Sequence, residues 1–225
     1  MSNLVTYYTL IEAGCLIAAL IFLRHEQGSV WGIQRWYLCL VLLGELCALY
    51  CIWVLGHPSN QWIHNLMIPA IALFVGQMTF AAVAELDGTR RSWLYAWWGI
   101  VAAVYLTEAA INGGLPEYLR YTRLFVNVSI SAGCFYYFIR LMRTNTARDL
   151  RTLPEFWWIY GTSCFFFGQS IANHYVQLLA VTKTTIAGAS LHMILYIILI
   201  SLLYGLWSYA FYLRSKRRSL AISSS

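Results

Sequence analysis

Seven apolar runs, each about 20 residues or longer, follow one another along the chain and set the first constraint on its fold. They lie near residues 4–23, 36–55, 62–86, 92–111, 121–141, 155–180 and 186–212, separated by polar connections of about 5 to 13 residues. A helix of that length crosses the hydrocarbon core of a bilayer at 1.5 Å of rise per residue. Within lipid it also satisfies its own backbone polar groups, which an irregular segment does not. The pattern predicts an all-α, polytopic membrane protein. Residues 1–213 should form one seven-transmembrane-helix bundle, and 214–225 a basic tail. The charged fraction of 11% agrees, because an ordinary soluble domain carries about 25%.

Basic residues are retained on the cytoplasmic side of a membrane. Twelve Lys and Arg fall after the first, third, fifth and seventh runs, among them Arg90, Arg91, Arg140 and Arg143, against Arg120, Arg123 and Lys183 on the other side. This predicts an N-terminus outside, a C-terminus in the cytoplasm and a bacterial inner membrane as the location. The net charge of +6 is then topological, which removes nucleic acid as a partner. The terminal "RSKRRS" suits anionic lipid headgroups. The opening "MSNLVTYYTL" lacks the basic segment of a cleaved signal peptide, so the first run is expected to stay as a helix. All six cysteines fall inside expected spans and read as small buried hydrophobes, not as a disulfide framework. Asn127-Val-Ser129 has the form of a glycosylation acceptor but lies inside a span.

Ionisable groups inside a membrane are costly, and they face a bundle interior with a partner. The runs hold Glu12, Glu45, His64, Glu108, His174 and His192, with Asn65, Asn127, Gln169 and Asn173 beside them. Helical rise puts Glu12 about 12 Å below the outer boundary, Glu45 about 15 Å, and His174, His192 and Asn127 about 9 Å. Glu108 and His64 come to about 5 Å and 3 Å. The inner half carries no charge between Glu45 and the cytoplasmic edge. Such an arrangement predicts a cup open to the outside, and it argues against transport, which needs polar groups through both leaflets.

Glu12, Glu45, Asn65, Glu108, Asn127, Gln169, Asn173, His174 and His192 are the expected ligand contacts. Each of them also has a structural reading, such as a protonated glutamate bonded to Tyr8 or Tyr50. Three imidazoles on three helices, His64, His174 and His192, are ligand types that suit zinc, iron or copper. No HxxxH, HExxH or ExxH spacing fixes two of them on one helix face. His174 and His192, at matched depth on consecutive helices, would also suit a haem. Retinal is disfavoured, because the seventh run has no lysine for a Schiff base.

"YTLIEAG", "LLGELCALY", "WIHNLMIPA" and "LPEFWWIYG" resemble small seven-helix membrane proteins of Bacteroidota, a group without an established activity. That resemblance covers most of the chain in layout and implies the seven-helix fold but no catalytic residue. The paired prolines of semi-SWEET-like carriers are missing, as is the HxxxH of membrane zinc hydrolases. The leading reading is a non-enzymatic sensor of a small ligand, or a subunit of a membrane complex working with a protein partner. A metal-dependent hydrolase or oxidase acting on a lipid-like substrate stands as the first alternative, and a haem-binding or transport protein as a further one.

Overall fold

The computed structural model describes the backbone of residues 2–26, 28–57, 59–88, 90–144, 149–182, 185–186 and 189–223. Side chains are described for 7–26, 28–57, 59–88, 90–144, 149–172 and 193–220. Among these residues are seven α-helices: α1 Ser2–Phe22, α2 Val30–Trp53, α3 Gln61–Asp87, α4 Arg91–Ile111, α5 Arg120–Arg143, α6 Pro154–Thr182 and α7 Leu191–Ser223. A 3₁₀ turn, Leu150–Thr152, precedes α6. Two short strands, β1 Thr185–Ile186 and β2 Ala189–Ser190, pair antiparallel before α7.

Each apolar run coincides with one helix, and the ends differ from expectation for local reasons. α2 begins at Val30, a turn and a half before residue 36, because Ser29 caps it. Its hydroxyl accepts from the Gly32 amide at 3.1 Å and donates to a Glu26 carboxyl oxygen at 2.9 Å. The polar Gln34 can sit in that added turn because it is fully buried and donates to the Phe74 carbonyl of α3. At the other end of the chain the basic run does not break the helix, and α7 continues through Arg218 to Ser223. It also starts later than residue 186, since β1 and β2 occupy that stretch. Pro69 lies inside α3, which continues through it.

α2, α3, α4, α5 and the Met193–Leu220 stretch of α7 are each long and apolar enough to cross a membrane; Tyr7–Phe22 of α1 is a shorter apolar helix. Large apolar side chains also cover the outward faces, as with Trp36, Leu43, Ile111 and Leu106. Exposed apolar area on that scale would be a liability in water and fits hydrocarbon. These helices are those of an integral membrane protein.

The contacts gather the chain into two compact units. One comprises α1, α6 and α7. Its core is a stacked pair, Trp158 and Trp207, with ring centres 4.9 Å apart. Trp207 Nε1 donates to Thr162 Oγ1 at 3.1 Å, and Thr162 in turn donates to the Trp158 carbonyl. Gly161 has no side chain, which lets α6 approach Leu206 of α7 closely. Arg214 pairs with Glu155 at 3.7 Å.

The second unit, residues 24–145, comprises α2 to α5, with α3 packed on each of the other three. Short connections make sequential helices antiparallel. One end of this unit carries the α4–α5 connection, and the other carries the α3–α4 connection, where Gly88 (φ 68°) closes α3 in the left-handed conformation.

Candidate functional site

The expected ligand residues divide between the two units. Glu45, Asn65, Glu108 and Asn127 belong to α2–α5, whereas Glu12 and Gln169 belong to the other unit. The side chains of Asn173, His174 and His192 lie outside the described residues.

Two of the four in α2–α5 hold a connection in place. Asn65, in the first turns of α3, is fully buried, and its amide nitrogen donates to the carbonyls of Leu115 and Glu117 at 2.8 and 2.6 Å. Glu108, at the end of α4, accepts from the amides of Tyr121 and Thr122 at 2.9 and 2.6 Å and from the Thr122 hydroxyl at 2.6 Å. Helix α5 has no cap from its own Leu119. A carboxyl from the preceding helix therefore satisfies amides that a capping residue would otherwise meet, at the end of the helix where negative charge is favoured. Asn127 is buried on α5, less than two turns further in.

Glu45 and His64 are arranged differently. His64 Nδ1 lies 3.8 Å from Glu45 Oε1, with the two side chains 32% and 16% exposed. That is near enough for charge to matter and too far for a direct hydrogen bond. Both groups thus retain hydrogen-bonding capacity toward a third group. Arg123 adds a positive charge beside the imidazole and stacks over the Tyr118 ring at 4.9 Å. Its Nε is buried and has no hydrogen-bond partner among the described residues.

No protein-family model matches this chain, and no similar curated protein or solved structure was found.

In the other unit, Glu12 is buried and accepts from the Tyr204 hydroxyl of α7 at 3.4 Å. A tyrosine was the expected kind of partner, and Tyr204, 192 residues away, carries no local signal as one. Gln169 is half-buried on α6. Among the described residues, no three of His, Cys, Asp and Glu gather as a metal site. Of the three candidate metal ligands only His64 has a described side chain, so the triad with His174 and His192 lies outside the described side chains. Among the described residues none of the six cysteines is in a disulfide, and Cys47 is exposed while Cys51, one turn on, is buried.

A cavity of about 700 Å³ lies at the opposite end of α2–α5, between α3, α4 and α5. None of the expected ligand residues lines it. The sequence signals that bear on it are Gly76 and Gly133, which leave space on two helices, and Trp97, whose ring lies against Gly76.

Proposed function

We propose that the chain is a seven-span protein of a bacterial inner membrane, its N-terminus outside and its C-terminus cytoplasmic, that binds a small polar ligand beside Glu45 and His64. It works as a sensor or as a subunit of a membrane complex, through a protein partner. The twelve-to-three bias of Lys and Arg supports the orientation. The observation that carries the binding role is the Glu45–His64 pair, an ionisable couple within membrane-length helices whose members have no hydrogen bond among the described residues. Groups of this kind inside a membrane mark ligand or proton sites by default. Together with Arg123, the pair offers an acceptor, a donor that can switch with protonation and a fixed cation, which favours a ligand with both an acidic and a donor group.

The experiment extracts the protein with its surrounding membrane into polymer-bounded nanodiscs and compares co-purifying small molecules and proteins by mass spectrometry. Wild type, Glu45→Gln and His64→Phe are to be compared. A species retained by wild type and lost from both variants supports the reading. Identical inventories from all three sink it.

A further inference from the structure

The geometry points to a binding site for one anionic phospholipid in the cavity between α3, α4 and α5. The cavity's length suits a lipid. It runs from Gly76, in the middle of α3, to Gly88 just beyond that helix, twelve residues or about 18 Å. Half the hydrocarbon thickness of a bilayer is about 15 Å. The Gly76 end therefore lies where an acyl chain would reach, and the Gly88 end where a headgroup would sit.

Its walls suit the same occupant. Near the middle of the helices the lining is apolar and aromatic: Phe80 from α3, Trp97 from α4, and the bare backbone of Gly133 on α5. A side chain at Gly76 would collide with the Trp97 ring, so the missing Cβ is what lets Trp97 form a flat wall. The space of about 700 Å³ is within the range of about 300–1,000 Å³ usual for small-molecule sites.

Charge at the mouth chooses among lipids. Two acids lie in the last turn of α3, Glu85 and Asp87; Asp87 is engaged by Arg140 at 3.5 Å and by the Tyr136 hydroxyl at 2.8 Å, and neither pairs with Arg90 among the described side chains. Arg90 lines the mouth, is exposed, and enters no ion pair or hydrogen bond among the described side chains. It is also the residue preceding α4, whose first turn carries no acidic side chain and receives no side-chain cap. A free guanidinium beside an uncapped helix start is complementary to a phosphodiester. A zwitterionic headgroup would bring its own ammonium to the same place. Arg90 and the cavity share no residue with the Glu45–His64 pair, so this site and the polar one stand or fall separately.

The test uses the full chain in nanodiscs made from equal parts of phosphatidylglycerol and phosphatidylcholine, either lipid carrying dibrominated acyl chains. Bromine quenches nearby tryptophan, and Trp93 and Trp97 line the cavity. Brominated phosphatidylglycerol should quench more than brominated phosphatidylcholine, and native mass spectrometry should retain one phosphatidylglycerol per chain after delipidation. Arg90→Gln should weaken that retention about tenfold, the effect of losing one charge-assisted hydrogen bond to phosphate. Ser129→Leu, which fills the cavity from α5, should abolish it; where that variant does not fold, Trp93→Ala serves, with the quenching difference reduced. Arg217→Gln, in the terminal basic run, should change neither readout. Equal retention of both lipids by wild type, or an Arg217→Gln effect as large as that of Arg90→Gln, overturns the site.

Discussion

The two ends of the α2–α5 unit use their polar and small residues in opposite ways. At the α4–α5 end, Asn65 and Glu108 make five hydrogen bonds to the connection and the first turn of α5, four of them to backbone groups and one to the Thr122 hydroxyl. At the α3–α4 end, glycines and aromatics leave a space, and Arg90 is the cation among its described lining residues. The first end is fastened and the second is open. A buried polar residue in a membrane helix is thus no sign of a ligand until its hydrogen bonds have been traced, and an apolar stretch can hold a site that no charge announces.

Glu108→Ala should produce the largest loss if this contrast is right, because it strands two amides and a hydroxyl in a buried setting. We expect about 3 kcal/mol, read from reversible unfolding of the detergent-solubilised protein by SDS. A loss below about 1 kcal/mol would mean that the α5 start is satisfied by water instead.

Asn65→Ala should come next, at about 2 kcal/mol, since two carbonyls lose their donor. The same unfolding measurement decides it, and a fully additive double variant with Glu108→Ala would argue that the two act on the connection independently.

Gly133→Ala addresses the open end. Its new methyl would sit 3.1 Å from Thr79 Cγ2, a tight contact. The helix propensity gained over glycine, about 1 kcal/mol, offsets that crowding. Stability within about 1 kcal/mol of wild type is expected. A much larger loss would show that this end, too, is packed to its limit.

Glu45→Gln should have the smallest effect on stability, below about 1 kcal/mol, because the pair with His64 is partly exposed and lacks a direct hydrogen bond. Its effect belongs instead in what co-purifies. A destabilisation equal to that of Glu108→Ala would turn the Glu45–His64 pair into another structural fastening.

The sequence could reveal Glu108 and Asn65 as polar residues in apolar helices, and it placed both close to a span end. It could not reveal their partners, which are backbone groups that come within reach only after α3, α4 and α5 assemble. Nor could it reveal the cavity: Gly76, Gly133 and Trp97 read individually as helix-packing residues, and the space between them depends on three helices together. Glu45 and His64 were visible as candidates, and their proximity was decided by the packing of α2 on α3.

What the sequence determined by itself was the number of α-helices among the described residues and, apart from the start of α2 and both ends of α7, their extent to within a few residues. The reason is that an apolar run of membrane length satisfies its backbone by local hydrogen bonds, whatever its neighbours. Only the tertiary structure decided which helices keep company. α1 joins α6 and α7, through contacts such as Glu12 with Tyr204 and Phe22 with Tyr212. Those contacts close across nearly the whole chain, and helix association in lipid depends on close backbone approach and interhelical hydrogen bonds that no periodicity encodes.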